Sequence, residues 1–176
     1  MLGLPFKAIP SPAEEVLNDS LEPANAATEL AMQKVNCVRE LCAEEEAPLI
    51  FGADTIVVLN GKIYGKPSDR EHAGQMLTEL QGKTHEVITG IALYNGRHGS
   101  IESCSVCSTV SFAPMSEEEI EWYLNSGEWD GAAGSYQIQG LASCFITGIN
   151  GSFSSIVGLP VREFYKMLKK TGYVFL

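Results

Sequence analysis

A chain of 176 residues suits one domain of ordinary size, with room for two lobes. A hydrophobic fraction of 45% against 19% charged residues excludes a disordered polar chain. A formal net charge of -10 argues against a nucleic-acid groove, which would concentrate Lys and Arg, but leaves room for a small anion held by a few local cations or a metal ion.

In chain order, the first helix is predicted from about Asn25 to Ala43. Ala27, Ala31, Val35, Val38 and Cys42 share one face at helical spacing, with Leu30 and Leu41 beside them. Glu44, Glu45 and Glu46 break that face, and Pro48 stops the helix. PLIFGADTIVVLNGKIYG reads as a strand and a hairpin turning at Asn60-Gly61. SDREHAGQMLTEL reads as a helix, with Ser68 and Glu71 at capping-box spacing and Ala73, Met76, Leu77 and Leu80 as its buried stripe. HEVITGIALYNG is a strand ending in a second Asn-Gly turn, at Asn95-Gly96, with an antiparallel return from about Ile101 to Phe112. SEEEIEWYLNSG is a helix boxed by Ser116 and Glu119 and stopped at Gly127. The Gly/Ser-rich stretch GSYQIQGLASCFITGINGSFSSIVGLP is expected to hold short strands. Pro160 opens a last helix with Val161, Phe164, Tyr165 and Leu168 inward. Antiparallel hairpins mixed with helices give an α/β class with a mixed sheet.

No apolar run approaches the roughly 18 residues of a membrane span. MLGLPFKAIPSP lacks the basic-then-apolar pattern of a signal peptide. Five cysteines, an odd number at low density, suit a reducing cytoplasmic setting.

Asp54 stands inside an apolar strand, where a carboxylate is costly unless it is paired, hydrogen-bonded or metal-bound. It is either a structural turn-binder or a functional group. Lys34 falls inside the apolar stripe of the first helix. It either snorkels to the edge or points into a cleft to meet phosphate. Lys66, between Gly65 and Pro67, is either a loop lysine or a charge held in place by its stiff neighbours. Gln137 and Gln139 share a face of an extended segment flanked by Gly134 and Gly140. They are either polar loop caps or amides able to read a nucleobase edge. Cys104 and Cys107, three apart on a strand, point to opposite faces, which argues against a metal or redox pair. His85 reads as a hydrogen-bonded structural histidine.

The blocks LGLPF, ATELAMQK, GADTIVVLNGKIYGKP, LQGKTHEVITGIAL, AGSYQIQG and GSFSSIVGLP together resemble the Maf family of nucleotide pyrophosphatases, once named for septum formation. The resemblance covers nearly the whole chain, in the family's order and spacing. It implies an elongated, two-lobed α/β fold with a mixed sheet flanked by helices and a central cleft, similar to that of the inosine-triphosphate pyrophosphatases. It implies hydrolysis of nucleoside triphosphates to monophosphate and pyrophosphate with a divalent metal, Mg²⁺ or Mn²⁺. Carried over, the family's catalytic residues fall on Asp54, Lys34 and Lys66. Its substrate contacts fall on Thr55, Gln139 and Glu15, and its metal ligands on Glu15 and Asp54; Glu14 is adjacent and competes for the acidic position. Gln at position 139 goes with a preference for dTTP and UTP, and the family admits a homodimer.

The family opens with a short apolar strand and a phosphate-gripping Ser-x-Ser-Pro-Arg-Arg loop. MLGLPF matches a stretch beyond that loop. The expectation is therefore a single Maf-like domain over 1–176 that lacks both pieces, by truncation rather than natural loss, with impaired activity. Two functions follow: a pyrimidine nucleotide pyrophosphatase, or a catalytically weak nucleotide-binding homologue acting as a cell-division regulator.

Overall fold

A computed structural model describes residues 3–12, 20–42 and 49–175. Its elements are α1 (Pro23–Leu41), β1 (Leu49–Leu59), β2 (Lys62–Tyr64), α2 (Arg70–Leu80), β3 (Thr84–Asn95), β4 (Ser100–Phe112), α3 (Glu117–Leu124), β5 (Ile146–Asn150), the one-turn α4 (Phe153–Ile156) and α5 (Val161–Lys170). The strands form one sheet in the order β2-β1-β3-β4-β5. The expected α/β class, a sheet flanked by helices, is what the chain forms, and every described pairing is antiparallel. No described helix is long and apolar enough to cross a membrane.

Alternation along the strands sorts side chains between two faces. Ile50, Ile56 and Val58 of β1 meet α1 together with Ile88, Ala92 and Tyr94 of β3. The helix sits unusually near because it presents Ala27 and Ala31 to two bare backbone positions. A Cβ at Gly90 would come 2.2 Å from the Ala27 carbonyl oxygen, and one at Gly52 would come 2.8 Å from that of Ala31. The opposite face carries two clusters. Val57, Val87, Val110 and Phe112 pack under α2 and α3, around Leu77, Leu80 and Tyr123. Ile91 and Leu93 pack under Met167 and Leu168 of α5.

Several local expectations are corrected. The first helix begins at Pro23 and ends at Leu41, where the Cys42 N–H closes on Val38; Glu44, Glu45, Glu46 and Pro48 lie outside the described residues. The Asn60-Gly61 turn forms as read, both residues left-handed at φ 52° and 80°. The cap of α2 is Asp69, not Ser68. Its carboxylate accepts the His72 N–H at 2.8 Å, and Ser68 instead donates to that carboxylate. An aspartate one residue nearer the helix outcompetes the serine as acceptor.

The β3–β4 connection is a four-residue loop, 96–99, with Asn95 opposite Ser100. Gly99 takes the left-handed position, while the Asn95 side chain accepts the Arg97 N–H. The Gly/Ser-rich stretch holds a single strand, β5. The rest includes tight 3₁₀ turns at Ala133–Ser135 and Leu141–Phe145 and the α4 turn, where the Ser152, Ser154 and Ser155 side chains bond the backbone and favour a turn over strand pairing. On α5 the inward stripe is Phe164, Met167 and Leu168. Tyr165 is 39% exposed and packs against Phe175.

Candidate active site

Asp54 and Gly52 are on the same face of β1, the face that α1 covers. Asp54 sits opposite Gly90, so nothing from β3 crowds it on that side. It is only 7% exposed. Lys34 meets it from α1 and donates to its carboxylate. The close approach of α1 makes this reach short: a Cβ at Gly52 would lie 3.5 Å from the Lys34 Cβ. The two readings of Lys34 are thereby resolved. It turns inward, keeps 21% of its side chain exposed, and supplies the pairing a buried carboxylate requires.

Lys34 and Asp54 line a cavity of about 330 Å³, within the range of small-molecule sites. Its other walls come from the elements that follow β1. The Asn60-Gly61 hairpin returns the chain along β1, and the next loop brings Lys66 to the rim. Gly134 ties that loop to the glutamine segment by donating its N–H to the Gly65 carbonyl at 3.0 Å. Only glycine fits there, at φ 65° and with a Cβ position 2.9 Å from Val57. Gln137 and Gln139 then enter the same cavity, their side chains 3.4 Å apart. Val57, Val87 and Ile156 give it an apolar floor.

Thr55, also on the cavity wall, heads a chain of hydroxyls. The buried Thr89 has one hydroxyl hydrogen and gives it to the Ser155 carbonyl at 2.7 Å. The 2.8 Å contact between Thr55 and Thr89 is therefore donated by Thr55. What Thr55 offers the cavity is lone pairs, an acceptor rather than a donor. A second chain runs from Ser108 to Ser155 at 3.0 Å, and from the Ser155 hydroxyl to the Ser152 carbonyl at 2.9 Å. Together they seat the α4 turn on the sheet and place Val157 and Gly158 on the cavity wall.

Sequence reasoning passed over Thr89, Ser155 and the cavity-lining Tyr136. The signals were a hydroxyl inside the apolar run VITGIAL and the serine density of GSFSS. His85 is structural, as read. It is buried beside Phe112, its Nε2 pairs with the Tyr136 hydroxyl at 2.8 Å, and Nδ1 finds no partner among the described residues. Burial lowers its pKa to about 4 and keeps the ring neutral; burial also pushes the Tyr136 phenol up.

All five cysteines are free. Cys104 packs toward α5 while Cys107 is exposed, and burial raises both thiols. No group of three or more His, Cys, Asp or Glu able to hold a metal occurs among the described residues. Glu15 and its neighbour Glu14 lie outside those residues.

A buried carboxylate, two lysines and a pair of amide side chains meet around one small cavity, a set of groups chemically able to take a compact anion with a polar edge. The particular lineage follows from comparison with known proteins. The family model described as Maf-like protein matches residues 1–171, and the chain belongs to that family. It is 40% identical over 172 residues to a dTTP/UTP pyrophosphatase of Pelotomaculum thermopropionicum, covering 98% of this chain and 88% of the relative. A protein of the same name from Escherichia coli O157:H7 is 41% identical over 167 residues, 95% of this chain and 83% of its own. Another, from Ruminiclostridium cellulolyticum, is 45% identical over 171 residues, 96% and 86% of the two chains.

Proposed function

We propose that this protein is a nucleoside triphosphate pyrophosphatase acting on dTTP and UTP, releasing the nucleoside monophosphate and pyrophosphate. The observation that carries the reading is the single cavity shared by Asp54, Lys34, Lys66 and Gln139. The relatives' name selects the substrate class and favours the catalytic reading over the non-catalytic cell-division regulator.

Water attacks the α-phosphorus, and Asp54 takes its proton. The bond from that phosphorus to the bridging oxygen of the β-phosphate breaks, and pyrophosphate leaves with the electron pair. Lys34, which has three ammonium hydrogens, donates one to Asp54 and shares its charge with the phosphates. Lys66 neutralises charge on the departing pyrophosphate. Gln139, with Gln137 beside it, offers a donor and an acceptor to a pyrimidine edge.

The donor set also fits a hard divalent cation. The Asp54 carboxylate and the Thr55 lone pairs are oxygen donors, and Mg²⁺ or Mn²⁺ is commonly held by one or two carboxylates together with substrate phosphates. Asp54, with Glu15, would hold it. Bound there, it would supply charge neutralisation on the triphosphate.

Modified pyrimidine triphosphates suit the same pocket and a house-cleaning role. Five free cysteines favour the cytoplasm, and the family resemblance favours a homodimer, which sedimentation analysis would test. The decisive experiment measures pyrophosphate and phosphate separately from a panel of nucleotides with Mg²⁺ or Mn²⁺. Pyrophosphate from dTTP and UTP ahead of purine nucleotides supports the reading. Phosphate alone, or no product from any nucleotide, rejects it.

A further inference from the structure

The turn that carries Gln139 is held from outside the cavity by one carboxylate. Gln137 to Gly140 form a turn closed by the Gly140 N–H on the Gln137 carbonyl at 3.0 Å, with Ile138 buried beneath it. Two anchors fix this turn to the end of α3. The Gln137 N–H donates to the buried Tyr123 hydroxyl at 3.2 Å. On the far side, the Leu141 N–H donates to Glu128 Oε2 at 2.7 Å.

The fit around that carboxylate is close. A Cβ at Gly140 would lie 2.1 Å from Oε2 and 2.9 Å from Oε1, so Gly140 is bare where Glu128 crosses it. Glu128 is itself braced. Its N–H donates to Ser126 Oγ at 3.2 Å, that hydroxyl donates to the Tyr123 carbonyl at 2.6 Å, and the adjacent Trp129 indole donates to the Leu124 carbonyl at 2.9 Å.

We propose that Glu128 is a positioning residue for nucleobase recognition, its carboxylate clamping the turn that aims Gln139 into the cavity. The role rests on the pyrophosphatase reading above, while the clamp itself is a property of the fold. Glu128 stands outside the cavity lining and acts through the backbone of Gly140 and Leu141. It therefore sets substrate affinity and base preference, not the rate of the chemical step. Glutamine at this position keeps a neutral acceptor at the same reach; alanine removes it.

The test compares Glu128→Ala and Glu128→Gln in the full chain. Affinity for UTP and ATP is read by calorimetry in an Asp54→Asn background, where no turnover is needed. Backbone protection at Leu141 is read by amide hydrogen exchange. Loss of a charge-assisted hydrogen bond predicts that Glu128→Ala weakens UTP binding roughly tenfold, reduces the UTP over ATP preference, and accelerates Leu141 exchange. Glu128→Gln should restore most of each.

Unchanged Leu141 protection in Glu128→Ala would overturn the clamp. Faster exchange with unchanged affinity and preference would overturn the recognition role. A wild-type protein that releases no pyrophosphate, yet loses UTP affinity and Leu141 protection in Glu128→Ala, would reject the pyrophosphatase reading and leave the clamp standing.

Discussion

Lys34 on α1 and Asp54 on β1 are 20 residues apart in sequence and form an ion pair in the lining of the cavity. The pair joins the covering helix to the sheet at the point where chemistry is proposed. Asp54→Asn keeps the shape of the side chain and removes its charge and its basicity. The expected result is a folded protein whose pyrophosphate release falls by about 10²- to 10⁴-fold, the usual contribution of a positioned general base. Lys34, partly exposed, can re-solvate, so the fold should survive. Turnover assays with circular dichroism on the same preparation check both parts. Wild-type turnover in the variant would remove Asp54 from the mechanism.

The pair exists because α1 lies directly on glycine. Gly90→Ala would put a methyl group 2.2 Å from the Ala27 carbonyl oxygen, a rigid backbone atom that cannot swing aside. Forcing α1 outward should cost about 1–3 kcal/mol by overpacking. It should also lengthen the Lys34–Asp54 contact. A lowered Tm together with reduced kcat is expected from thermal melts and turnover assays. An unchanged Tm would mean that the helix tolerates displacement.

Much of this fold was legible because its local signals agree. The Asn60-Gly61 turn, the apolar run of β1 and the Ser116–Glu119 box each specify one structure, and each forms. Asp54 and Lys34 stood out because each broke an apolar pattern, and the structure joins those two breaks. What stayed hidden depends on three-dimensional competition. Asp69 displaced Ser68 as a cap only because its carboxylate reaches His72. Thr89 is marked only by a hydroxyl within an apolar run, and Glu128 by no local anomaly. Their roles arise from contacts with Ser155 and Leu141, which lie 66 and 13 residues away.

Thr89→Val tests the hydroxyl chain behind Thr55. Valine matches threonine in shape but cannot donate, so the Ser155 carbonyl loses the Thr89 hydroxyl at 2.7 Å and keeps the Gly158 N–H at 2.9 Å. Loss of one of the carbonyl's two hydrogen bonds costs about 0.5–1.5 kcal/mol. Thr55 also loses its acceptor, so its hydroxyl hydrogen becomes free to turn toward the cavity. The turn bearing Val157 and Gly158 should loosen at the same time. A lower Tm and a higher KM for the nucleotide are the expected outcomes. A variant equal to wild type in both would show that the chain neither holds α4 nor shapes the site.

His85 gives a stability effect with a definite sign. Its folded pKa is about 4 against an ordinary 6.5, with burial as the cause. Between those values the unfolded chain binds the proton and the folded chain does not. Stability therefore falls as pH drops below about 6.5, and the loss from this one group levels off below about pH 4. The full shift corresponds to about 3 kcal/mol, taking 1.36 kcal/mol per unit over the drop from 6.5 to about 4. The groups packed on the ring are Phe112, which does not titrate, and Tyr136, whose phenol is pushed upward and stays neutral across this range. His85→Gln removes the titration and keeps a side chain able to bond Tyr136. Urea unfolding at steps from pH 7 to pH 4 should show the wild type losing more stability than the variant. Because carboxylates titrate equally in both proteins, the difference between the two curves isolates the histidine. Parallel curves would mean that His85 takes up its proton in the folded protein as readily as in the unfolded chain.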